Sequence, residues 1–228
     1  GITASFYFVG IHFGDYKKHY VLTIIGFGII QLAAYRFLGK QTLYTCYPLL
    51  IHLPLILVIF FVFHQSICMS IISVLTAYLL CTPRKWIGTL VSSFFGYNQD
   101  IANATAILVT IPLLILVIKY LSSYIEKLKY EDITALLPFL LLPLAYYILE
   151  YAFTVYTDLL YTGGTVIIDF VDSFIVLLYL ILSIFSLESA NKKNKAEHEN
   201  LLFRTAAIQI QKEMQQISNS EKQAAIYR

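Results

Sequence analysis

Apolar residues run along this chain in long blocks, with polar residues gathered in short clusters between them. The blocks cover residues 1–14, 20–35, 46–63, 67–81, 101–121, 133–156 and 165–187. A hydrocarbon core about 30 Å thick takes roughly 20 apolar residues as helix. In lipid every backbone group must be satisfied within the segment, so blocks of this kind predict helices. The pattern predicts an all-α, polytopic transmembrane bundle of about seven spans. The first block is short and closes on Asp15, Lys17 and Lys18. It reads either as a helix whose beginning is missing or as a short first span. Residues 86–95 form a half-length apolar stretch behind Pro83, Arg84 and Lys85. That stretch reads as an interfacial or re-entrant helix, or as the fourth span continued past a Pro83 kink.

Beyond residue 187 the pattern changes. No proline or glycine occurs from Glu188 to Arg228, and apolar residues recur at Phe203, Ala207, Ile210, Met214 and Ile217, then at Ala224. The spacing alternates four and three, a heptad seam in which Glu221 takes one core position. A lone helix cannot bury such a seam in water. A parallel homodimer solves this, and an amphipathic helix lying on the membrane or on its own domain is the alternative. The chain thus divides into a transmembrane domain, residues 1–187, and a cytosolic linker and dimerisation helix of coiled-coil type, residues 188–228.

Composition supports the division. The chain is 58% hydrophobic and 13% charged, where soluble domains carry about 25% charged residues. Residues 1–187 hold nine basic and nine acidic side chains, and residues 188–228 hold seven and five. A net charge of +2 without a basic arm argues against a nucleic-acid partner. Cys46, Cys68 and Cys81 lie in or beside apolar blocks without metal-ligand spacing and read as packing residues. Basic residues in short loops set orientation. Lys17, Lys18, Lys119, Lys127 and Lys129 become cytoplasmic if the first span runs inward, as does the end of the seventh span. Arg36, Lys40, Arg84 and Lys85 then fall on the outer side, against the rule.

Ionisable residues inside spans are costly and mark function or pairing. His52 stands between Pro48 and Pro54, and Glu150, Asp158, Asp169 and Asp172 stand in or near the last two spans. Asp169 and Asp172, at i and i+3, share a helix face. With Tyr147, Tyr151, Tyr156 and Tyr161, the four carboxylates form an expected outer pocket for a cationic or amphipathic ligand. The alternative is internal pairing with Arg36, Lys40, Arg84 or Lys85 and an ordinary tyrosine belt. His52 reads as an interhelical bond or as a ligand contact. Trp86 reads as an interface anchor, and His198 as a solvated helix residue. No phosphate loop, nucleophile elbow or zinc-protease motif occurs, so no catalytic residue is expected here.

Three stretches resemble a known family. Residues 220–228, Ser-Glu-Lys-Gln-Ala-Ala-Ile-Tyr-Arg, look like the segment before the phosphoacceptor motif of receptor histidine kinases with a GHKL-type ATPase domain. Residues 47–55 and 73–81 are similar to the sensor regions of such kinases in Gram-positive bacteria. The plan is that of peptide-pheromone receptors of the accessory-gene-regulator type. The resemblance implies a multi-pass sensor in a bacterial cell membrane, acting as a homodimer on an extracellular or membrane-borne signal such as a peptide. It implies a kinase core after Arg228, using ATP and Mg and passing phosphate to a cytoplasmic response regulator. No cofactor is expected within these residues. A small multi-span transporter or channel is the other expectation, and an intramembrane protease lacks the clustered side chains it needs.

Overall fold

The computed structural model describes residues 1–130, 133–156 and 165–226, and every regular element among them is helical. In chain order these are α1 (Ile2–Phe8), α2 (Lys17–Tyr47), α3 (Leu53–Phe61), α4 (Ile67–Leu79), α5 (Thr82–Ser93), α6 (Gln99–Leu116), α7 (Ser123–Lys127), α8 (Ile133–Leu149) and α9 (Thr165–Ile226). Wide, π-helical turns occupy Pro48–His52, Val117–Ser122 and Glu150–Val155. The chain falls into two compact units, Gly1–Ile181 and Leu182–Arg228.

Among the described residues, five stretches are long and apolar enough to cross a membrane: Lys17–Gly39, Thr42–Phe61, Ile67–Ser93, Gln99–Tyr130 and Leu136–Phe153. A shorter apolar stretch, Phe170–Ser186, lies in α9. Large apolar side chains face outward along these helices, among them Leu32, Phe37 and Leu108 at 71%, 85% and 75% exposure. Apolar surface on this scale needs a hydrocarbon solvent.

The first block is not among these stretches. α1 is seven residues long, about 10 Å of helix, or a third of the hydrocarbon thickness. Phe6, Phe8 and Ile11 are almost wholly buried, and α1 packs on α4 and on the Val117–Ser122 turn. Phe6, Phe8 and Ile11 therefore supply core, with protein rather than lipid around them.

Local chemistry sets the boundaries. α2 is broken at Gly39, whose φ of 77° and ψ of 171° belong to a region that only glycine enters at ease. The break separates the first two spans and carries helix through Arg36, where the apolar pattern had ended the span. α4 starts at Ser66, whose hydroxyl accepts from the Met69 amide, and α6 starts at Asn98, which caps Asp100 and Ile101. The Pro54 ring crowds the carbonyl of residue 50, which lies in the Pro48–His52 turn. Leu80 and Cys81 form a turn between α4 and α5, and the apolar stretch Ile67–Ser93 runs through it. Residues 86–95 thus follow the fourth block past Pro83.

α4 lies at the centre of the first unit, with α1, α3 and α8 against it. Its Ser70, Ser73 and Thr76 are buried to the last atom. Ser70 and Ser73 satisfy their hydroxyls on carbonyls of the preceding turn, those of Ser66 and Ser70. Small side chains here let neighbouring helices approach closely. The same device recurs at Gly88, where an added Cβ would sit 2.5 Å from the carbonyl oxygen of Ala102. That contact locks α5 against α6. At one end of the unit, Lys129 donates to Gln65 at 3.3 Å and joins the segments after α3 and α7.

In the second unit α9 exposes Phe203, Ile210 and Met214, three members of the heptad seam, and Ala207 is exposed with them. The side chains of Ile217 and Ala224 lie outside the described residues.

Candidate functional site

Four segments converge on one polar region of the first unit: the Pro48–His52 turn, the α4–α5 junction, the end of α8 with the Glu150–Val155 turn, and the early part of α9. Their order follows from their bonds. Thr82 and Lys85 meet Tyr146 and Glu150 in ascending order, so the end of α8 runs in the same direction as α5. Thr76 and Trp86 meet Tyr179 and Ser173 in descending order, so α9 runs the other way.

The first part of the site is an aromatic cage around His52. Its Nδ1 lies 2.8 Å from the Tyr147 hydroxyl. The rings of Tyr47, Tyr78 and Tyr147 stand at 5.2, 4.9 and 5.3 Å from the imidazole, all edge-on. Tyr151 completes the cage, 4.7 Å from Tyr147. Edge-to-face packing of this kind places ring edges on ring faces and holds the side chains in fixed orientation. Tyr156 stacks near Tyr151 and donates to the Thr45 carbonyl at 3.0 Å, which ties the Glu150–Val155 turn to α2.

The second part is a cavity of about 640 Å³ beside this cage. Lys85, Trp86, Tyr97, Tyr146, Glu150 and Asp172 are among its walls. Lys85 Nζ lies 3.3 Å from Glu150 Oε1, and the two side chains differ sharply in exposure, 59% against 13%. The second oxygen of Glu150 is enclosed without a well-formed hydrogen bond, and the Tyr78 and Tyr146 hydroxyls are its polar neighbours. Tyr146 OH and Thr82 Oγ1 are bonded at 2.6 Å. Trp86 donates through Nε1 to Ser173 Oγ at 3.0 Å, joining α5 to α9. A buried Thr76–Tyr179 bond of 3.0 Å joins α4 to α9.

Two of the four carboxylates expected to share a pocket, and one of the expected pairings, are found at one place. Glu150 and Asp172 line a single cavity, and Glu150 is paired with Lys85, which explains a basic residue that the loop-charge rule had set on the wrong side. Lys85 belongs to a helix and a pair, not to a loop. His52 and Tyr151 belong to the adjoining cage. Asp158 and Tyr161 lie outside the described residues, as does the side chain of Asp169. Trp86 was expected as a membrane-interface anchor and instead is half-buried and bonded to Ser173. Tyr78, Thr82, Tyr146 and Ser173 were not anticipated. Tyrosines are abundant, and nothing in the apolar pattern separates these from belt residues. One signal was available: π-helical turns often accompany functional sites, and the two that carry His52 and Glu150 both lie near prolines.

The site can hold and orient a ligand by charge and aromatic contact. No family model, no curated protein and no solved structure matches this chain.

Proposed function

We propose that this chain is the membrane sensor region of a receptor histidine kinase, and that the Glu150–Lys85 cavity receives its signal. One observation carries the reading: the helix that lends Asp172 and Ser173 to the cavity, α9, is a helix of 62 residues ending at Ile226. A ligand that repacks the cavity acts directly on that helix. The ligand must contact two arrangements of α9 unequally, since a ligand with equal affinity for both shifts neither.

Other features agree. Counting Phe170–Ser186 as a crossing gives six spans among the described residues from Lys17 onward. Lys17, Lys18, Lys127 and Lys129 then gather on one side, which the basic-loop rule makes cytoplasmic. The end of Phe170–Ser186 falls on that same side. The Phe203–Met214 seam pairs with that of a second copy. The resemblance of residues 47–55, 73–81 and 220–228 to kinase receptors supplies the output: an ATP- and Mg-dependent core that phosphorylates a histidine and then a response regulator.

The natural reading frame that contains this chain is expressed, purified in lipid and incubated with labelled ATP. Acid-labile phosphate on a histidine beyond Arg228 is expected. An intact protein that takes no label overturns the kinase reading. The second reading, a small transporter or channel, is favoured by the Lys85–Glu150 pair lying within apolar spans. It predicts substrate or ion flux in proteoliposomes.

A further inference from the structure

We infer that Lys85 is the resident counter-ion of an organic-cation site, and that a ligand with one ammonium or guanidinium group on an aromatic or apolar body displaces it from Glu150. The inference rests on the cavity being the signal site and adds the chemistry of its occupant.

The two members of the pair are held differently. Glu150 is 13% exposed and opens the wide Glu150–Val155 turn, so its carboxylate is fixed by backbone and by enclosure. Lys85 is 59% exposed, on a flexible four-carbon stem. It can leave toward water at small cost, whereas Glu150 cannot follow it. An enclosed carboxylate without a counter-charge is expensive, so whatever removes Lys85 must bring a cation in its place. The walls favour the same class. Of the charged residues in the walls, two are carboxylates, Glu150 and Asp172, and one is an ammonium, Lys85, a set better suited to a cation than to an anion. Trp86, Tyr97 and Tyr146 provide aromatic surface, against which cations and aromatic groups both pack well. The volume of about 640 Å³ suits a small organic molecule or the side chain of a peptide.

The exchange has a route outward. Trp86 follows Lys85 on α5 and is bonded to Ser173 of α9. Withdrawal of Lys85 from Glu150 alters the turn of α5 that holds this bond.

The chain has one tryptophan, and it stands in the cavity wall. The full chain in lipid nanodiscs is titrated with phenethylammonium and, separately, with 2-phenylethanol, which has the same body without the charge. Trp86 fluorescence is followed. A saturable change with the cation and none with the alcohol is expected. E150Q should weaken the cation by about tenfold, the worth of one hydrogen bond to a charged group. K85M, which removes the competitor, should bind it more tightly than the parent. Equal responses to the two probes, no saturable response, or a K85M that binds more weakly overturns the inference. The comparison of probes needs no variant, so a misfolded E150Q leaves the test intact. Cation binding to the full-length protein without any effect on autophosphorylation counts against the sensor reading and leaves the cation site standing. Autophosphorylation without cation binding counts the other way.

Discussion

The imidazole of His52 and the phenol of Tyr147, 95 positions apart in the chain, meet at 2.8 Å inside the bundle. The bond joins the Pro48–His52 turn to α8, two segments that run antiparallel, and three further tyrosines pack around it. Its strength can be measured. Interhelical hydrogen bonds in membrane proteins are worth about 0.6 kcal/mol on average and up to about 1.7. Single substitutions H52F and Y147F and the double variant, each unfolded in mixed micelles, should give a coupling energy in that range. Additive losses would mean that the two groups do not interact in lipid.

The Gly88 contact is expected to be less forgiving. An Ala at position 88 places its Cβ against a backbone carbonyl, which cannot swing aside as a side chain can. G88A should lower stability by about 1–3 kcal/mol, the usual cost of overpacking, and G88L by more. Gly26 is the control, because it lies in α2 with open space around it. G26A should leave the melting temperature unchanged or raise it, since alanine is the better helix former by about 1 kcal/mol.

Thr76 and Tyr179 are both fully buried and bonded to each other. T76V keeps the shape of the side chain and removes the hydroxyl. It should cost about 1 kcal/mol in thermal stability. Y179F, which removes the other half of the bond, should cost no more than T76V, and the double variant little beyond either one. A double variant whose losses add would exclude the bond as the source.

The heptad seam can be separated from mere exposure. Ile208 and Ile210 are equally open, at 55% and 56%, but only Ile210 lies on the seam. In a background with Cys46, Cys68 and Cys81 replaced, I210C should cross-link between copies in membranes, and I208C should do so at least several-fold less. Equal cross-linking at both positions would remove the seam as the dimer contact. Serine at Phe203 and Met214 should reduce cross-linking at position 210.

Much of the fold could be read from the apolar blocks, because lipid imposes one demand on every span. The surroundings of residues 1–14 were not legible in that way. Their hydropathy matches a span, but Phe6, Phe8 and Ile11 are surrounded by α4 and its neighbours, and hydropathy does not distinguish lipid from protein core. Glu150 and Asp172 were legible as site residues because a carboxylate in an apolar block must be satisfied. Lys85 was misplaced, since charge counting treats each basic residue after a proline as loop. Tyr78, Tyr146 and Ser173 were invisible for another reason: their role depends on which helix faces which, and that is settled by packing across more than 60 positions.

The wide turn at Glu150–Val155 makes the site unusually sensitive to chain length. Such a turn holds one residue more than an α-helical turn does. Each residue of α-helix advances the side chains by about 100°. A substitution in this turn changes one side chain and leaves the rest aimed as before. Loss of a single residue from it lets the helix close to ordinary pitch, and everything on one side rotates by roughly a quarter-circle against the other. Glu150 and Tyr156, whose partners are Lys85 and the Thr45 carbonyl, cannot then both keep them. Deletion scanning should therefore find sharper effects here than point substitution does.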